Sequence, residues 1–410
     1  DSLGSRGLGD VYKRQATISS ANAGSYTITN LAGITIADGS GGAASNYTLT
    51  GGTHNFTVNQ RPLNATLSRQ YDGTTNAAGS DLSSFDALQG GETLTLSGLG
   101  TAANDNVANG ISVSSLGTLA LVDGTGLASN YSLNSAVINI TQRVLSSSGS
   151  KAYDANTNAL AADITLSNLV SGEALNHSGT ASISSANAAS YTITNLAGIT
   201  LADNAGLASN YTLTGGTHNF TVNPKVISLS GSRLYDATTD AVASDLTTIS
   251  GLVGSETLNL SGTGSVTNAN VASNKTVTLG TLALADNSGL AANYTLSGGT
   301  HQLTINQRPL AATVARQYDG TKTAAGSDLS SFDALQGGET LTLSGSGTVG
   351  DENVANGQGI TLGTLALVDG TGLASNYSLN SASLNITERV LNSSGSKTYD
   401  ANTNALAGEI

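Results

Sequence analysis

Three of the four histidines, His54, His218 and His301, occupy one recurring place, directly after Gly-Gly-Thr and before an alternating apolar run. An imidazole there can serve as a general base or a metal ligand. Neither chemistry works alone, because a base needs an orienting partner and a metal needs several ligands, and no second histidine lies near any of the three. The expected role is a hydrogen bond in the lead-in to a strand. Carboxylates recur too. Asp38, Asp123, Asp203, Asp286 and Asp369 each precede an Asn-Tyr pair by seven or eight residues, in Asp-Gly or Asp-Asn turns. Calcium is the metal such oxygen-rich loops favour, with Asp123, Asp203, Asp286 and Asp369 as its candidate ligands. It takes roughly six to eight oxygens, and each turn offers one carboxylate. A site would need the recurring Glu92, Glu173, Glu256 and Glu339 to converge on these aspartates; otherwise the aspartates cap turns. No G-x-S-x-G elbow, phosphate loop, H-E-x-x-H or dinucleotide fingerprint occurs, and there is no cysteine. The residue inventory therefore predicts no enzyme, no catalytic residues and no cofactor.

The spacing of these residues reflects a repeat. Tyr-Asp returns at Tyr71-Asp72, Tyr153-Asp154, Tyr235-Asp236, Tyr318-Asp319 and Tyr399-Asp400, separated by 82, 82, 83 and 81 residues. Asn-Tyr keeps the same register at Asn46-Tyr47, Asn130-Tyr131, Asn210-Tyr211, Asn293-Tyr294 and Asn376-Tyr377. A fixed period of this size means one folding unit copied along the chain. The units divide as 16–59, the later part of a repeat; 60–142, 143–223, 224–306 and 307–388, four whole repeats; and 389–410, the first part of another. The sequence reads as a fragment of a longer protein.

Charged residues make up 10% of the chain, well under the usual quarter, and the net charge is −13. Small polar residues alone would fit disorder, but regular apolar alternation favours an ordered fold. The acidic surface repels phosphate backbones and anionic lipid, so neither nucleic acid nor membrane insertion is expected.

Each unit closes on a period of two: Phe56 and Val58, Ile138 and Ile140, Phe220 and Val222, Leu303 and Ile305, Leu384 and Ile386. One face of such a strand is buried and the other wet. Leu94 and Leu96, Leu119 and Leu121, Leu258 and Leu260, and Leu282 and Leu284 alternate likewise, with Gly-Gly and Asp-Gly turns between. Only Asp81 to Leu88, and its copy Asp328 to Leu335, suits a helical turn. The prediction is an all-β array of antiparallel modules, each a small Ig-like sandwich of about 82 residues, with a β-grasp unit as the alternative and a continuous solenoid behind both. Two or three residues join successive units, as in Gln142-Arg143-Val144. Such junctions limit hinge motion and predict an elongated rod growing by about 30 Å per unit.

A basic residue stands two positions before every marker tyrosine: Arg69, Lys151, Arg233, Arg316 and Lys397. Strand alternation puts it on the tyrosine's face, its stem against the ring. After the aspartate comes Gly73, Ala155, Ala237, Gly320 or Ala401. Alanine in three copies predicts a turn that needs no positive φ, with the aspartate accepting backbone N–H bonds.

The ordered string from Arg233-Leu234-Tyr235-Asp236 through Leu258–Gly262, Ala269-Asn270-Val271 and Asn293-Tyr294-Thr295-Leu296 resembles the YDG-type repeats of large bacterial surface and secreted adhesins. The likeness spans residues 16 to 410. It implies an extracellular, filamentous-haemagglutinin-like setting; the recurrent units and short junctions add the expectation of a stalk that projects a binding region, whose host or microbial ligand is met by other parts of the protein. The alternative is that the repeats themselves bind glycans, a host surface or other copies in a biofilm. Residues 1–15, DSLGSRGLGDVYKRQ, match no part of any unit and resemble translated adaptor sequence; they are set aside as a non-native leader.

Overall fold

The computed structural model describes residues 15–410, so all of the leader except Gln15 lies outside the described residues. The described chain is all-β, interrupted only by short 3₁₀ turns. It divides into two compact units. One holds the described residues up to Ser150 with Asn158–Ser184 and Tyr191–Phe220; the other holds Lys151–Thr157, Ser185–Ser190 and Thr221–Ile410.

In the first unit, repeat 60–142 opens with strand Arg61–Gln70 and closes with strand Tyr131–Thr141. Leu63, Ala65 and Leu67 alternate inward from the opening strand, and Ala136, Ile138 and Ile140 from the closing one, all essentially sealed from water. Burying an aliphatic side chain of this size is worth about 1.5–3 kcal/mol, which makes this pair of strands the core of the repeat. The two strands lie side by side and parallel, from Arg61 opposite Tyr131 to Gln70 opposite Thr141. Leu82–Phe85 pairs antiparallel with the opening strand and Ala108–Ser115 with the closing strand. A separate ribbon joins Leu94–Ser97 to Ala120–Asp123.

The second unit repeats this plan. Arg308–Gln317 runs parallel to Tyr377–Thr387, flanked by Leu329–Phe332 and Ala355–Gly359. In repeat 224–306, Ser228–Leu234 runs parallel to His301–Asn306. This parallel pair departs from the purely antiparallel module predicted from the sequence. Its consequence is directional: when first and last strands run the same way, the chain leaves a repeat at the end opposite its entry. An antiparallel pair would return it to the start.

The helical turn expected at Asp81 to Leu88 is displaced. A 3₁₀ turn occupies Gly79–Asp81 and a strand follows at Leu82–Phe85, with the same shift at Gly326–Asp328 and Leu329–Phe332. The Leu-Ser-Ser-Phe stretch has an edge of the opening strand to pair with, and that pairing overrides its weak local preference.

Two versions of the closing strand exist. Where the sequence reads Tyr-Ser-Leu-Asn-Ser-Ala, the strand is continuous and a small residue, Ala136 or Ala382, faces the core. Where Gly-Gly-Thr-His intervenes, the strand breaks between Tyr294–Thr295 and His301–Asn306, with Gly298 at φ 84°. The histidine then fills the place of the alanine.

Candidate functional site

The Tyr-Asp marker sits at the far end of the opening strand, where Tyr71 N–H donates to Thr141 O at 2.9 Å and Tyr235 N–H to Asn306 O at 2.9 Å. The turn after it is an Asx turn, as predicted: Asp72 Oδ1 accepts Thr74 N–H at 2.9 Å, Asp236 accepts Thr238 N–H at 2.9 Å, and Asp319 accepts Thr321 N–H at 2.9 Å. The residue in the middle does take positive φ, contrary to the reading of its alanines. Ala155, Ala237 and Ala401 all stand at φ 62°, beside Gly73 at 74° and Gly320 at 77°. The aspartate's bonds hold this left-handed residue in place, and an alanine there bears a penalty of about 1–2 kcal/mol.

The basic residue two positions before the tyrosine is held by that turn. Lys151 Nζ lies 2.8 Å from Asp154, Lys397 Nζ lies 3.1 Å from Asp400, and Arg69, Arg233 and Arg316 pair with Asp72, Asp236 and Asp319. The same cations reach the turn's backbone: Arg233 donates to Thr238 O at 2.8 Å and Lys151 to Asn156 O at 2.8 Å. The Thr321 N–H bonded to Asp319, and the Asn402 N–H bonded to Asp400, hold these carboxyls below the usual carboxylate range, helped by Arg316 and Lys397.

Each marker tyrosine that has a following repeat plugs into it. In the first unit the hydroxyl of Tyr71 donates to one oxygen of Glu173, and Tyr211 donates to the other at 2.6 Å. In the second unit Tyr153 and Tyr294 share Glu256 at 2.6 and 2.5 Å, and Tyr235 and Tyr377 share Glu339 at 2.5 and 2.6 Å. The two rings of each pair meet edge to face, with centroids 5.5, 5.4 and 5.3 Å apart. The marker tyrosine comes from one repeat, and the glutamate and the Asn-Tyr tyrosine from the next. Tyr71, Tyr153 and Tyr235 are thereby buried, whereas Tyr318 is 37% exposed and Tyr399 90%.

The neighbouring asparagine adds a second tie. Asn210 Oδ1 accepts Val107 N–H at 2.9 Å, Asn293 accepts Ala188 N–H at 2.8 Å and Asn376 accepts Val271 N–H at 2.9 Å, each reaching back into the preceding repeat. Arg143 donates to Tyr71 O at 3.3 Å and Arg308 to Tyr235 O at 3.2 Å. Burial and the adjacent glutamate push the phenols of Tyr153, Tyr211 and Tyr377 up to about 12, and those of Tyr71 and Tyr235 further in the same direction. A phenol that stays neutral keeps its proton for the carboxylate.

The glutamates thus converge on tyrosines, and the aspartates on their own loops. Asp123 accepts Ala128 N–H at 2.6 Å, Asp203 accepts Ala208 at 2.7 Å, Asp286 accepts Ala291 at 2.7 Å and Asp369 accepts Ala374 at 2.7 Å, each at the start of the 3₁₀ turn that carries Asn-Tyr. Asp38 does the same for Ala44 at 2.6 Å. Among the described residues no three histidine, aspartate or glutamate side chains gather as a metal site. The histidines close their own loops: Nε2 of His54, His218 and His301 meets the carbonyls of Leu49, Leu213 and Leu296 at 2.9, 2.8 and 2.8 Å. Leu229 N–H donates to His301 Nδ1 at 3.2 Å, so Nδ1 is bare and Nε2 carries the proton. Ser147 meets His218 Nδ1 at 2.9 Å, with both residues buried and the other ring nitrogen on the Leu213 carbonyl.

The sequence reading took the Tyr-Asp pair as a strand-to-turn element and did not foresee its docking. The signal was a glutamate recurring at one place in each whole repeat, Glu92, Glu173, Glu256 and Glu339. A family model described as YDG domain matches residues 57–138, 136–219, 217–302 and 300–384. No curated protein matches the chain.

Proposed function

The chain belongs to the YDG domain family, with four tandem copies, and on that footing we propose that it is a non-catalytic spacer segment of a secreted or surface-attached bacterial adhesin. Its role is to hold a binding region at a distance. The observation that carries this reading is the Tyr–Glu–Tyr node, repeated at three junctions, which commits the most regularly recurring polar side chains to joining one repeat to the next. A site displayed for a ligand would leave such groups open to solvent. The bacterial, extracellular setting rests on the resemblance of the motif string to repeats of that kind.

A glycan array and a cell-adhesion assay on the chain test the proposal. A spacer gives no binding in either. Saturable binding that scales with the number of repeats would overturn it and favour the alternative, in which the Ser/Thr/Asn-rich repeat surfaces are themselves adhesive.

A further inference from the structure

The chain contains no cysteine, methionine or tryptophan, so tyrosine is its most readily oxidised side chain. Of thirteen tyrosines, six stand in the edge-to-face pairs Tyr71–Tyr211, Tyr153–Tyr294 and Tyr235–Tyr377, the first inside one compact unit and the other two inside the second. Packing explains why the rings touch. It leaves unused the chemistry of two phenols that share one base.

That base is what one-electron oxidation of a phenol requires. A phenol that loses an electron becomes a strong acid, and the step is easy only where its proton has an acceptor in place. Glu173 accepts from Tyr71 and Tyr211, Glu256 from Tyr153 and Tyr294, and Glu339 from Tyr235 and Tyr377. Burial and these carboxylates keep the phenols neutral at ordinary pH, so electron and proton must leave together. Each glutamate is only half-buried and can hand the proton on to water.

The partner ring is in place as well. Centroids 5.5, 5.4 and 5.3 Å apart put carbons of the two rings in van der Waals contact, and groups held in contact react as if at very high concentration. None of the six tyrosines is more than 5% exposed. An electron crosses a thin layer of protein to an oxidant outside, whereas a tyrosine of another chain cannot enter. A radical formed in the pair therefore has one partner.

We propose that each pair is a site of oxidative coupling, at which a diffusible one-electron oxidant converts the two phenols to dityrosine and ties one repeat covalently to the next. Two oxidant equivalents each take one electron, and one proton leaves each phenol by way of the shared glutamate. The two phenoxyl radicals join through a carbon ortho to each oxygen, and the hydrogen on each of those carbons moves to the oxygen to restore the phenol. The net change is one carbon–carbon bond formed, two electrons to the oxidant and two protons to water. The rings stand 77–80° apart, so one turns toward the other as the bond closes.

Irradiating the full chain at low concentration with ruthenium tris-bipyridine and persulfate, then digesting it and mapping the links by mass spectrometry, tests this. The expected products are three links within single chains, Tyr71 to Tyr211, Tyr153 to Tyr294 and Tyr235 to Tyr377, each lighter than its separate peptides by two hydrogens and showing dityrosine fluorescence. Tyr153→Phe should abolish the link to Tyr294. Glu256→Gln, whose amide keeps the shape but takes no proton, should reduce that link while those at the other two junctions persist. Unfolding in urea before irradiation should scatter coupling over tyrosines outside the pairs. Coupling that falls mainly outside the pairs in the folded chain, pairs linked no better folded than in urea, or an undiminished Tyr153–Tyr294 link in Glu256→Gln would each overturn the proposal.

Discussion

One glutamate per junction accepts two phenol protons, one on each oxygen, and a charged acceptor makes each bond about twice as strong as a neutral one. Gln at the same place keeps the shape but has one acceptor oxygen and no charge. Glu256→Gln is therefore expected to lower stability to urea by about 1–3 kcal/mol. Glu92→Gln, which among the described residues serves the one phenol of Tyr131, should lose about half as much, and equal losses would mean that the second tyrosine contributes nothing. The phenols also set an alkaline limit. Burial and the adjacent glutamates push Tyr153, Tyr211 and Tyr377 up from the ordinary 10.0 to about 12, so the unfolded chain gives up these protons first. Stability conferred by the neutral phenols is full below pH 10 and declines from there, being gone by about pH 12. A tyrosinate absorbance titration should show this group ionising together with the loss of near-ultraviolet dichroism, whereas titration near pH 10 without structural change would contradict the burial.

The turn after Tyr-Asp shows what alternation and turn chemistry do and do not reveal about an element. The Asx bond was legible, because aspartate followed by Thr or Asn two residues on is a turn with a mechanism. The positive φ was not, because the alanines argued against it and only the bonds from Asp236 and Arg233 make the strained residue tolerable. Ala237→Gly removes a left-handed penalty of about 1–2 kcal/mol and adds unfolded-state entropy of about 0.4–1 kcal/mol. It should stabilise by up to about 1 kcal/mol, read as a rise in the urea midpoint; a loss would show that φ 62° is not strained there. His301 was legible as a strand lead-in, but its service to the Leu296 carbonyl and the Leu229 amide depends on a five-residue excursion and a strand far off in sequence. His301→Ala should cost about 1–3 kcal/mol by leaving those buried groups unpaired.

Across the array, the period, the all-β content and the strand positions near Leu94, Leu119 and Leu384 could be read from spacing alone. The parallel opening and closing strands could not, since alternation fixes which face is buried and says nothing of which strands are neighbours. The junction nodes were hidden for a related reason: Tyr71 and Glu173 lie 102 residues apart, beyond any local pattern. Because Asp123, Asp203, Asp286 and Asp369 each cap a turn and the glutamates serve tyrosines, chelation of calcium is expected to leave the melting temperature unchanged, and a fall on chelation would show a site. The central claim is that these nodes fix each repeat on the next so that the array acts as a spacer. Small-angle scattering of the chain tests it directly. The account predicts a particle of constant cross-section and several times longer than wide, and one that becomes flexible when Glu173, Glu256 and Glu339 are all changed to Gln. A globule, or a profile indifferent to those three changes, would contradict it.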